Sequence, residues 1–109
     1  MYYVKKRLEI SASHSLKLDY ESKCKNLHGH NWIIEVYCKS EHVNENGMVI
    51  DFTEIKNLIH STLDHKNLNE ALPFNSTAEN IARWVVYIVP NCYKAKVIES
   101  DGNEAIYED

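Results

Sequence analysis

Apolar and polar residues alternate from Tyr2 to His14. Tyr2, Val4, Leu8, Ile10 and Ala12 take even positions, and Lys5, Arg7, Glu9, Ser11 and Ser13 odd ones; Lys6 is the exception. A period of two predicts a half-buried strand. Residues 15–27 lose the alternation and carry Lys17, Asp19, Glu21, Lys23 and Lys25, which reads as a loop. A second strand is predicted from about His30 to Lys39, with Trp32, Ile34, Val36 and Cys38 on one face. "NENG" (44–47) signals a turn, and "MVIDF" a short extended piece.

The period then changes to that of a helix. Ile55, Leu58, Ile59, Thr62 and Leu63 recur at helical spacing, with Asp51 and Glu54 in a capping-box pattern. Ile81, Trp84, Val85 and Ile88 form a second stripe, with Ser76 and Glu79 as its capping box and Pro90 as its stop. "AKVIES" and "EAIYED" flank Asp101-Gly102-Asn103, a hairpin-turn composition. The predicted order is β-β-α-α-β-β. It points to an α+β domain over 1–109, an antiparallel sheet with helices on one face.

Composition narrows the function. The chain has 109 residues, 44% hydrophobic and 26% charged, which suits a folded domain rather than a disordered one. A net charge of -4 argues against nucleic acid as the partner. No run is long and apolar enough to predict a membrane span. "MYYVKKRLEI" alternates too quickly for a signal peptide. Three cysteines, Cys24, Cys38 and Cys92, form no tight framework, so a reducing, cytoplasmic setting is expected.

The strand phase places the histidines. His14 continues the even face of the first strand at its far end, and His28 and His30 continue the apolar face of the second at its start. Residues two apart on a strand point the same way. If the strands pair antiparallel, three imidazoles meet at one corner, and Gly29 allows a close backbone approach. Three neutral imidazoles with an open fourth position describe a catalytic zinc site, although imidazole also suits copper, nickel and iron. The competing expectation is a strand entry with satisfied polar side chains.

Four residues before His28 stands Cys24. It is either a fourth ligand, closing the site, or a group that does chemistry. Thiolate is the reactive form of cysteine, and Lys23 and Lys25 flank Cys24 with cations. Cys38 reads as core, and Cys92 as a loop residue without an acid–base neighbour in sequence. Asp64-His65, in "LDHKNLN", is either an oriented base or ordinary compensation of a helix dipole. Glu99 shares parity with Ala95 and Val97, and reads as an inward carboxylate or an exposed strand end. His42 and His60 read as ordinary surface or helix-face histidines.

Together, His14, Cys24-x3-His28-Gly29-His30, "GMVIDF", "LDHKNLN", "STAEN" and "ESDGNEAIYE" resemble the pyruvoyl-tetrahydropterin synthase superfamily over nearly the whole chain. The three-residue gap between Cys24 and His28 resembles the bacterial 6-carboxy-tetrahydropterin synthases of queuosine biosynthesis. A folate-pathway branch carries a glutamate just before the histidines, where this chain has Lys25-Asn26-Leu27. The resemblance implies a T-fold, a four-stranded antiparallel sheet with two helices on one side. It also implies a hexamer made of two stacked trimeric barrels, with active sites between subunits. It makes His14, His28 and His30 the ligands of Zn²⁺, Cys24 a general acid/base, and Asp64 and His65 a second proton relay. Glu99 would anchor a pterin, with Thr77 and Glu79 lining its pocket. The implied substrate is 7,8-dihydroneopterin triphosphate. Another dihydropterin lyase or epimerase could use the same parts, whereas a non-catalytic pterin-binding protein would need the Glu99 anchor but no Cys24 relay. The chain departs from the pattern at Ser76, where proline is common, and at Asn26, where arginine is common.

Overall fold

The two alternating segments form one antiparallel ladder. The computed structural model describes residues 1–109. Strand β1 (Tyr2–His14) pairs with β2 (His28–Ser40) along its whole length, from Tyr2 opposite Ser40 to His14 opposite His28. Strand β4 (Cys92–Ser100) adds to the other side of β2, and β5 (Asn103–Glu108) to β4, both antiparallel. These are the four expected strands. A fifth, β3 (Lys66–Asn67), is two residues long and pairs parallel to β1 at Ala12 and Ser13. The sheet order is therefore β3-β1-β2-β4-β5. A pair of residues is too short to leave a periodic signal, so β3 is absent from the sequence pattern.

Three helices accompany the sheet: α1 (Phe52–Leu63), the single-turn α2 (Leu68–Ala71) and α3 (Ala78–Ile88). The core face carries the even residues of β1 and β2 and the odd residues of β4. Ile10, Trp32, Ile34, Val36, Ala95 and Val97 are all buried there. Against them pack Ile55, Ile59 and Leu63 of α1, and Ile81, Ala82 and Val85 of α3. Trp84 and Ile88, expected in the α3 stripe, are only partly buried at its margin. Trp32 is fully buried, and its indole N–H donates to the Ala12 carbonyl at 3.2 Å, so the side chain is apolar-packed and polar-satisfied together. Truncating a buried indole to alanine typically costs about 3–5 kcal/mol.

The opposite face is polar. Glu35 is buried there between Lys5 (3.6 Å) and Arg7 (3.3 Å), and the Tyr37 hydroxyl donates to it at 3.1 Å. Burial alone raises its carboxyl; the Tyr37 hydroxyl, Lys5, Lys96 and Arg7 outweigh that and hold it below the usual carboxylate range. Lys5 and Arg7 are half exposed, so these ion pairs add little stability.

Local chemistry sets the ends of the elements. Asp51 caps α1, accepting from the Thr53 amide at 2.8 Å, while Glu54 stays exposed. The cap of α3 is Thr77, which accepts from the Asn80 amide, and not Ser76 as the sequence pattern suggests. Ser76 is fully buried and engaged elsewhere. "MVIDF" is not a strand: Val49 and Ile50 are buried, but Asn91 Nδ2 binds the Val49 carbonyl in place of a neighbouring strand. Gly102 turns the last hairpin at φ +83, a region open to glycine at no steric cost, and Asn103 already belongs to β5. The β4–β5 register shifts between Ile98 and Ser100, leaving Glu99 at the irregularity.

Candidate metal centre

Antiparallel pairing of β1 with β2 brings His14 opposite His28 and Ala12 opposite His30. The three imidazoles consequently meet edge to face at one corner. Ring centroids lie 4.6 Å apart for His14–His28, 4.9 Å for His28–His30 and 5.3 Å for His14–His30. Trp32 forms the floor, 4.8 Å from His14 and 5.2 Å from His30. Glu99 arrives from β4. One ligand atom from each of His14, His28, His30 and Glu99 falls in a group whose members all lie within 4.8 Å of one another.

Hydrogen bonds orient the rings. His14 Nδ1 lies 2.8 Å from the Ser76 carbonyl and 3.2 Å from its hydroxyl. A carbonyl only accepts, so Nδ1 carries the proton and Nε2 keeps a lone pair. His28 Nδ1 likewise lies 2.7 Å from the Asn26 carbonyl, which directs its Nε2 lone pair toward the group. His14 Nε2 and His30 Nε2 are buried and have no hydrogen-bond partner. Glu99 Oε1 is only 3.1 Å from His30 Nε2, yet the two are not aligned for a hydrogen bond. Burial, reinforced by the neighbouring His28 and His30, holds His14 below the usual imidazole range, despite the Ser76 bond and Glu99. A neutral imidazole is the form that binds a metal. Buried nitrogens without partners are costly, and a cation at their convergence satisfies them. Three nitrogens with a carboxylate alongside suit Zn²⁺.

Cys24 stands outside this group. It sits in a one-turn 3₁₀ helix (Lys23–Lys25), where Ser22 Oγ accepts from its amide at 3.2 Å and its carbonyl accepts from the Leu16 amide at 2.7 Å. Its thiol is free and partly buried. Of the flanking lysines, Lys25 pairs with Glu21 at 3.2 Å. Asp64 and His65 follow α1 and flank the edge of β1. Asp64 Oδ1 accepts from the Ser11 amide at 2.9 Å, and the His65 amide donates to the Ser11 carbonyl at 2.7 Å. His65 takes φ 58 there, and its ring is 82% exposed. An open cavity of about 490 Å³ is bordered by Ser11, Ser13, His30, Asn31, His65 and Lys66; His14, His28, Glu99 and Asp64 do not line it. Thr77 is engaged as a helix cap, and Glu79 is exposed. Neither lies in the histidine group.

Three features escape the sequence reading. Ser76 orients His14 from 62 residues away, a contact with no local signature. His60 is not a bystander: it faces Asp64 at 3.7 Å, an i,i+4 relation visible in the sequence. Cys92 does have a partner, since it begins β4 directly opposite Cys38; Cys92 and burial together push the Cys38 thiol up. Gly29 also plays a different part from the one expected. A Cβ there would come no nearer than 3.8 Å to the Ala12 carbonyl, so the ladder does not demand glycine. Its missing side chain leaves room in the cavity it borders.

Known proteins resemble this chain in sequence and fold. Residues 3–109 match the family model described as "6-pyruvoyl tetrahydropterin synthase". A Synechocystis protein named 6-carboxy-5,6,7,8-tetrahydropterin synthase is 34% identical over 98% of this chain and 93% of its own length. A human protein named 6-pyruvoyl tetrahydrobiopterin synthase is 33% identical over 96% and 90%. Two Pyrococcus relatives are 52% and 42% identical, but over 58 and 69 residues, so that the chain spans only 36% and 43% of their lengths. The solved Caenorhabditis elegans 6-pyruvoyl tetrahydropterin synthase superposes with a TM-score of 0.79 at 28% identity, covering 99% of this chain and 95% of the other. With the same sheet, helices and nearly full-length match, the chain belongs to the 6-pyruvoyl tetrahydropterin synthase family.

Proposed function

We propose that this protein is a zinc-dependent lyase acting on 7,8-dihydroneopterin triphosphate. It would yield 6-carboxy-5,6,7,8-tetrahydropterin, acetaldehyde and triphosphate, a step of queuosine biosynthesis. The observation that carries the reading is the convergence of two unpartnered buried imidazole nitrogens, on His14 and His30, with His28. His14, His28 and His30 hold the metal. When bound, Zn²⁺ would acidify hydroxyls of the substrate side chain and stabilise the negative charge that develops on oxygen. Cys24 exchanges a proton with a side-chain carbon or hydroxyl on one side of the site. Asp64 and His65 exchange a proton on the other, with Asp64 holding the imidazole in orientation. Two relays permit removal at one carbon and return at another. Thr77 and Glu79 contribute to the pterin pocket. Support for the carboxy product comes from the three-residue gap before His28 and from the Synechocystis relative.

A second reading follows from the human relative, at nearly equal identity. A pyruvoyl product would use the same residues but retain the side-chain carbons that otherwise leave as acetaldehyde. Incubating the zinc-loaded protein with 7,8-dihydroneopterin triphosphate and weighing the pterin product by mass spectrometry separates the two. The carboxy mass is expected. The pyruvoyl mass assigns the chain to the second reaction, and unchanged substrate removes both.

Glu99 is the proposed anchor for the amino-pyrimidine edge of the pterin, which offers parallel donors as a guanidinium does. The 3.1 Å separation of Glu99 Oε1 from His30 Nε2 supports an anchor that would hold that edge beside the metal. Glu99→Gln is expected to weaken binding by about 2 kcal/mol, or roughly 30-fold in KM. Steady-state kinetics with an unchanged KM would return Glu99 to a strand-end role.

The proposed assembly is a hexamer with interface-built sites. β5 forms one edge of the sheet, and β3 covers only Ala12 and Ser13 of the edge at β1. Barrel closure between copies removes such edges. Sedimentation is expected to give one species of about six chains. A stable monomer at micromolar concentration would contradict both the assembly and the shared site.

A further inference from the structure

His60 lies one helical turn before Asp64, outside the metal corner. Its Nε2 is 3.0 Å from the Glu9 carbonyl, and its Nδ1 is 3.7 Å from Asp64 Oδ2. The Glu9 carbonyl accepts only, so Nε2 bears a proton and Nδ1 is the nitrogen left for Asp64. A bare lone pair facing a carboxylate is repulsive, so that meeting is attractive only with a proton between Nδ1 and Oδ2. On the other side of the same oxygen stands His65 Nε2, at 3.5 Å. Oδ1, meanwhile, is taken by the Ser11 amide at 2.9 Å. Only Oδ1 is hydrogen-bonded; Oδ2 lies between two imidazoles at distances of an ion pair rather than of a hydrogen bond.

His65 itself is little restrained by packing, its ring being 82% exposed. A group so exposed depends on its charged neighbour for orientation, and that neighbour depends on what fixes its own rotamer. The Ser11 amide fixes one oxygen, and His60 faces the other at 3.7 Å. Resting on the lyase reading given above, we propose that His60 is a positioning residue for the Asp64–His65 relay, acting through Asp64 Oδ2. The competing account is purely structural: His60, like Asp64 and His65, covers backbone groups along the edge of β1.

His60→Gln discriminates between the two. Glutamine retains an N–H for the Glu9 carbonyl but offers no second ring nitrogen to Asp64. If His60 only covers the edge, His60→Gln matches wild type and His60→Ala loses stability. The proposal expects His60→Gln to keep the wild-type Tm and KM while kcat falls on the order of tenfold. The side-chain ¹⁵N–¹H correlation spectrum of His65 gives a readout independent of turnover. Its ring resonances are expected to shift in His60→Gln, and to shift further in Asp64→Asn. Unchanged His65 resonances in His60→Gln, or a wild-type kcat, would overturn the positioning role. A wild type that never turns over the pterin triphosphate overturns the lyase reading, and with it any part of His60 in turnover. A His65 shift in that case still establishes that His60 orients the pair.

Discussion

Cys24→Ala is expected to retain its zinc and its fold and to lose turnover by a factor on the order of 10² or more, the usual size for removing an acid–base group. The expectation rests on separation. The thiol belongs to the 3₁₀ turn before β2, while the nitrogens of His14, His28 and His30 gather with Glu99 and without Cys24. Three imidazoles already satisfy the protein's share of a catalytic zinc site, whose fourth position stays open for substrate. The fold should survive, since Cys24 is held through its backbone by Ser22 and Leu16. If Cys24 were instead a fourth ligand, zinc would go first and inactivity would follow from it. Zinc content and turnover measured on one Cys24→Ala preparation decide the matter. A zinc-poor variant whose activity returns with added zinc would contradict the acid–base role.

His28→Ala should have the opposite signature. With Glu99 engaged by the pterin rather than the metal, two imidazoles remain and bind Zn²⁺ poorly, so zinc is expected to fall to about a tenth of wild type or less, with turnover falling in parallel. His28 is a better probe than His14. It is half-buried and its Nδ1 bonds a neighbouring loop carbonyl, so its loss leaves the core intact. His14 is fully buried against Ser76 and Trp32, and truncating it opens a hole beneath the site. Elemental analysis of folded His28→Ala would show the loss; full zinc occupancy would remove His28 from the ligand set.

The corner was legible in the sequence because strand parity is a strong constraint. A one-residue slip would turn every apolar side chain of β1 to the wrong face. Once Leu8, Ile10 and Ala12 pack inward, His14 must follow, and the same holds for Trp32 and His30. Helical stripes were legible for the same reason, with Ile55, Ile59, Ile81 and Val85 all buried. What failed was non-local. Ser76 matches a helix-cap pattern, but the buried imidazole of His14 claims it and the cap passes to Thr77. The Cys38–Cys92 facing depends on how β4 enters the sheet, which no local pattern specifies. His60 is a helix-face histidine as its spacing indicates, and the same spacing brings it to Asp64.

The most direct test of the account is acetaldehyde formed from 7,8-dihydroneopterin triphosphate by one protein preparation as isolated, after chelation, and after zinc is restored. The account predicts acetaldehyde in step with 6-carboxy-5,6,7,8-tetrahydropterin, its loss on chelation, and its return near one zinc per chain. Acetaldehyde that persists undiminished in the metal-free protein would contradict it.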